Sequence, residues 1–161
     1  MYSYRFVISP FFPFLFMMLA GCANTYVQPP INQPYVTVEG YSDRNGLFEW
    51  KTARISSIDN QDVIDWGLVG GGSVRVTPGE HLFVADVQFN RSFLSGGPYE
   101  AFVDLRAFVQ AGREYKLKAN VEGSNVQVWF EDLLNRPVSN VASSNYQRTP
   151  QYTSTVIVVH R

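Results

Sequence analysis

A single thiol stands at position 22, directly after Leu19, Ala20 and Gly21. A cysteine thiolate is a nucleophile. Here it can take a diacylglycerol through a thioether, while the small side chains of Ala20 and Gly21 let a peptidase approach the backbone between Gly21 and Cys22. Other residues that carry chemistry form weaker patterns. Asp59, Asp62 and Asp65 recur every third position, whereas a calcium loop needs oxygen ligands at alternate positions and then Gly and Glu, so they read as a solvated turn. His81 and His160 lie 79 residues apart and neither has a ligand-type partner at short spacing, so no metal is expected. Ser73 follows three glycines, but it leads into a strand and lacks the Gly-x-Ser-x-Gly elbow. It therefore neither presents a nucleophile nor cradles a phosphate. No catalytic residue and no dissociable cofactor is assigned.

The thiol must be placed by what precedes it. Val7 to Leu19 is an apolar run of 13 residues, the length of a signal-peptide core and too short to cross a bilayer. Arg5 and the α-amino group make the basic n-region, and Pro10 and Pro13 interrupt the apolar helix. Leu19-Ala20-Gly21-Cys22 resembles the box of bacterial lipoprotein signal peptides, Leu, small, Gly or Ala, Cys, at all four places. The resemblance implies cleavage after Gly21, diacylglycerol and N-acyl (palmitate-type) lipid on Cys22, and, because Ala23 is not Asp, the outer membrane on its periplasmic side.

Without residues 1 to 21, which carry one charged side chain, Arg5, the chain has 140 residues with 12 basic and 14 acidic groups. That length supports one domain with a proper core. The balance of −2, and basic residues paired only in isolation as at Lys116 and Lys118, exclude a nucleic-acid surface. With one cysteine there is no internal disulfide, so stability comes from burial.

Residues 22 to 34 read as the acylated N-terminus and a stiff extended tether, because Pro29, Pro30 and Pro34 fix φ and remove donors. From Tyr35 onward apolar and polar residues alternate in short stretches broken by turn signals such as Arg44-Asn45-Gly46, Pro78-Gly79 and Gly123-Ser124-Asn125. No helix is expected. Val74 and Val76 are expected to pair back on Phe83, Ala85, Val87 and Phe89 through a type II turn at Thr77-Pro78-Gly79-Glu80. A second hairpin is expected across Ala111-Gly112, between Val103, Leu105, Ala107, Val109 and Tyr115, Leu117, Ala119, Val121. Val126, Val128 and Phe130 extend it as a meander, and Val156 and Val158 make a last strand. Strands with one apolar face each must bury those faces against a second sheet. The fold class is an all-β, antiparallel β-sandwich over residues 35–161, of about seven or eight short strands.

Three stretches, Val74 to Val84, Ala111 to Leu117 and Val126 to Asp132, make the region from about residue 50 to 138 resemble small envelope lipoproteins with a PEGA or transthyretin-like sandwich. Those modules open on Ile-Asp-Gly. Here the turn is Ile58-Asp59-Asn60, and Asn can enter the left-handed region that Gly would occupy. The resemblance implies a binding or structural module. The candidate binding residues are an aromatic strip of Phe102, Phe108 and Trp129 beside Lys116 and Lys118, and the loop Asn90 to Tyr99 with Phe93 and Leu94. Burial on both sides is ordinary in sandwiches, so the expectation is that the segment 137–152 or the second sheet covers the strip. The loop is open between a mobile contact and a packed hairpin end, and residues 139 to 151 between an excursion and a wrap. Function is read as a membrane-anchored, non-enzymatic interaction or structural module with an envelope protein or glycan partner. The alternatives are a glycan or small-ligand receptor and a hydrolase assembled from distant loops.

Overall fold

Period-two alternation sets the architecture, visible in a computed structural model that describes residues 24–46, 48–64, 72–92 and 96–149. Its strands are β1 (Val36–Glu39), β2 (Tyr41–Asn45), β3 (Glu49–Ile58), β4 (Gln61–Asp62), β5 (Ser73–Val76), β6 (Gly79–Asn90), β7 (Tyr99–Val109), β8 (Glu114–Glu122), β9 (Asn125–Glu131), β10 (Ala142–Asn145) and β11 (Gln147–Arg148). Among the described residues there is no helix. One sheet runs β10-β9-β8-β1-β5 and the other β11-β7-β6-β3-β2, with β4 also on β3. All pairs are antiparallel except β1 with β8. The expected β-sandwich is therefore present, its strand count raised by short pieces at the corners.

The inner faces supply the core. Phe83, Val87, Val103 and Leu105 from one sheet meet Val36, Val38, Leu117, Val128 and Phe130 from the other, all buried. Phe83 and Phe130 bridge the sheets edge to face, with centroids 5.0 Å apart at 88°. On the outer face Asp86 is also buried, because Arg54 Nε and Nη2 donate to its Oδ2 at 2.9 and 2.7 Å and Gln88 Nε2 adds a third bond at 3.2 Å.

Both expected inter-strand turns around the long strands prove to be crossovers. Val74 and Val76 pair with Val38 and Val36 of β1, and β6 lies in the other sheet. Gly79 has φ 143°, far from the value of about 80° that the third position of a type II turn takes, so the chain runs on across the gap. Likewise β7 and β8 lie in different sheets, joined across the end of the sandwich where Gly112 N donates to Tyr35 O. The β8–β9 hairpin at Gly123-Ser124 is as expected. Val156 and Val158 lie outside the described residues.

Two strands change sheet at the corners. β1 passes into β2 at Gly40, and β10 into β11 at Tyr146, so the segment 139–149 wraps the sandwich. Residues 24–30 are extended, as their prolines dictate, but they lie on the domain and do not stand off from it. Asn24 Nδ2 donates to Asn60 O, Tyr26 N to Asp62 O, Arg75 N to Gln28 Oε1, and Pro29 is buried. The register thus defines two ends. One, the entry end, gathers residues 24–35, the β3–β4 turn, both crossovers and the β9–β10 loop. The opposite end gathers the β2–β3, β6–β7 and β8–β9 connections. The 12 residues of β6 put these ends about 40 Å apart.

Candidate functional site

The expected aromatic strip divides between the two sides of the molecule. Phe102 and Phe108 project from β7 on the outer face of one sheet, 50% and 65% exposed, and no segment covers them as expected. Trp129, Lys116 and Lys118 project from β8 and β9 on the outer face of the other sheet, half-buried. The strip required β7 and β8 to be hairpin neighbours, and they face each other across the core. Trp129 Nε1 donates to Glu131 Oε1 at 2.9 Å and Lys118 Nζ lies 3.7 Å from Glu131 Oε2, so this pair is locally satisfied.

A different constellation forms where β1 becomes β2. Tyr41 continues the line of β1 beside Lys118, whose ammonium lies 5.0 Å from the Tyr41 ring centre, with Lys51 Nζ at 5.5 Å. Burial, and then the nearby carboxylates Asp43 and Glu131, push the Tyr41 hydroxyl above its ordinary pKa. Burial also pulls the Lys51 ammonium down. Lys118 adds to this, while Asp43 and Glu49 oppose it.

Beside this pair a groove of about 460 Å³ opens toward the opposite end. Arg44, Asn45, Trp50, Lys51, Arg91 and Asn120 line it, with Asp43 and Glu49 balancing the cations. Mixed charge, amides and an indole suit a polar, hydroxyl-rich ligand. None of these residues stood out in the sequence, because they come from strands far apart in the chain. The only local signal was the Arg44-Asn45-Gly46 turn.

The first residues of the loop Asn90 to Tyr99 are held in place. Asn90 Nδ2 donates to Phe48 O, Arg91 Nη2 to Gly123 O, and Arg91 lies over the rings of Phe89 and Tyr146. Phe93 and Leu94 lie outside the described residues, as do Gly21, Cys22, Asp65 and His160.

His81 lies beside an acid. Its Nδ1 is 2.6 Å from Asp59 Oδ2 and its Nε2 is 2.8 Å from Thr77 O. Each ring nitrogen thus lies within hydrogen-bond distance of an oxygen, Nδ1 of a carboxylate and Nε2 of a carbonyl. Asp59 Oδ1 also accepts from Leu82 N at 2.9 Å. The constellation thus ties the β3–β4 turn to the β5–β6 crossover. Slight burial pushes the Asp59 carboxyl up, but the Leu82 amide and His81 outweigh it and hold the group below the usual range. A depressed acid stabilises the fold above its unfolded pKa of about 3.9 and loses that contribution as pH falls through the lower folded value. Asp59→Asn, whose backbone tolerates φ 50°, should cost about 0.5–1 kcal/mol at pH 5, the range of a water-screened pair. The difference in urea midpoint between the two proteins should shrink progressively as pH falls below about 3.9. A gap that does not narrow on acidification would contradict this role.

Among the described residues no group of three or more His, Cys, Asp or Glu is placed to hold a metal, and no helix is long and apolar enough to cross a membrane. Ser73 is an exposed strand start with no base beside it in the hydrogen-bond network. No known family, curated protein or solved structure matches this chain.

Proposed function

We propose that this chain is a bacterial envelope lipoprotein, held by acyl chains on Cys22 in the outer membrane and facing the periplasm, whose sandwich is a non-enzymatic interaction or structural module. The observation that carries this reading is the Leu19-Ala20-Gly21-Cys22 box closing an apolar run of 13 residues. Three acyl chains, two on the glycerol and one on the new amino terminus, exceed the two that stable anchoring takes. The likeness to PEGA or transthyretin-like modules belongs to the same reading. Asp59 and Asn60, with φ of 50° and 62°, support it by adopting the left-handed turn that such modules give to Gly.

The intact mass of the natural product tests the proposal. The expected species begins at Cys22 and carries a thioether diacylglycerol and an amide-linked acyl chain. An intact leader or an unmodified thiol would overturn it. A second reading, a glycan or small-ligand receptor, is favoured by the groove with Trp50, Asn45 and Asn120.

A further inference from the structure

The entry end of the sandwich collects apolar side chains that no core requires. Val27 and Ile31 are 82% and 77% exposed, and Leu133 and Leu134 are 57% and 70% exposed. Leu133 and Leu134 form the tip of the β9–β10 loop, and this tip is built to hold them out. Asp132 Oδ1 accepts from the amides of Leu134 and Arg136, its Oδ2 takes Arg136 Nε and Nη2 at 2.8 and 2.6 Å, and Asn135 turns the chain with φ 57°. Ile31 sits in a hydrogen-bonded turn closed by Gln33 N on Pro30 O, ahead of β1. Only β8 separates β9 from β1, so the strands that adjoin the two tips lie about 10 Å apart and reach the same end of the sheet.

The chain leaves the domain at this same end. Asn24 is bonded to Asn60, and Cys22 precedes it by two residues, a reach of at most about 7 Å. A sandwich anchored through Cys22 therefore has no slack to stand away from the lipid.

We propose that the entry end docks on the bilayer surface, with Ile31, Leu133 and Leu134 entering the boundary between headgroups and acyl chains. This deepens the lipoprotein reading and rests on it. The groove near Trp50 then points away from the membrane, toward whatever lies about 40 Å off.

The test uses the full acylated protein in vesicles of phosphatidylethanolamine and phosphatidylglycerol. Acylation blocks Cys22, so an environment-sensitive fluorophore attaches only at an introduced cysteine, in the variants Ile31→Cys, Leu134→Cys and, at the opposite end, Ser124→Cys. Side chains buried 5–10 Å into the interface should be quenched about five-fold more by shallow doxyl-labelled lipid than the Ser124 probe, and shielded from iodide. In Leu133→Asp the Ile31 probe should fall to the Ser124 level, while the unchanged far-ultraviolet spectrum reports folding. Equal lipid quenching at all three sites overturns the docking, as does shielding of Ile31 and Leu134 from lipid and iodide alike, which would mean a protein covers them. A mass spectrum taken before labelling separates the two levels. Acylated protein with unquenched probes sinks the docking alone, whereas an unmodified Cys22 sinks the anchor and the docking with it.

Discussion

Cys22→Ala is expected to abolish incorporation of radioactive palmitate and to leave a precursor that retains residues 1–21. The reason is chemical: the thioether needs the sulfur, and the small-residue cleavage site is used only after that sulfur is acylated, as the resemblance to lipoprotein signal peptides implies. The effect is all or none, because alanine offers no nucleophile at all. It is also large for localisation. Each buried methylene contributes about 0.8 kcal/mol, so three acyl chains hold a protein essentially permanently, whereas one holds it marginally. An immunoblot should show the slower precursor alone in the variant, with no palmitate label on it. Persistent labelling, or normal processing, would contradict the assignment.

Phe83→Ala should destabilise the sandwich far more than the loss of any polar contact on its surface. Phe83 is fully buried on β6, stands opposite Ile58 of β3 and Leu105 of β7 in register, and touches Phe130 across the gap between sheets. Truncation removes most of one ring from the centre of the interface and leaves a cavity that two hydrogen-bonded sheets can close only partly. The cost should be about 3–5 kcal/mol. Loss of the edge-to-face contact accounts for about 0.5–1.5 kcal/mol of that figure. Against a total stability of roughly 5–15 kcal/mol for a domain of this kind, the variant should unfold at a much lower urea concentration with an unchanged slope. Phe83→Leu, which keeps most of the volume, should cost less than about 1.5 kcal/mol. A Phe83→Ala midpoint within error of the parent would mean that the two sheets do not meet at this ring.

The pairing of Asp86 with Arg54 shows how the outer face of the same strand departs from its pattern. Period-two alternation puts Asp86 toward solvent, and so it does project outward, yet Arg54, Gln88 and the opposed Phe102 take it out of water. A carboxylate in that position is tolerable because its Oδ2 accepts three charge-assisted or amide hydrogen bonds. Burial here follows from neighbours on adjacent strands, which the local sequence does not name.

Alternation alone determined that this chain is all-β, and which side chains face inward. Val103, Leu105, Ala107 and Val109, and Tyr115, Leu117 and Ala119, are buried as their spacing required, and the left-handed turn at Asp59-Asn60 follows from its residue types. The Leu19-Ala20-Gly21-Cys22 box on which the proposed anchor rests is likewise a matter of residue order. Which strands pair was decided only by the tertiary structure. A strand turns its apolar face to the opposite sheet whichever neighbour it pairs with, so the pattern on β5 and β6, or on β7 and β8, is the same for a hairpin and for a crossover. The aromatic strip fell apart for that reason, and the apolar entry end is assembled where the crossovers between sheets converge, while the groove near Trp50 forms where turns of both sheets meet, at ends whose residues are distant in the chain.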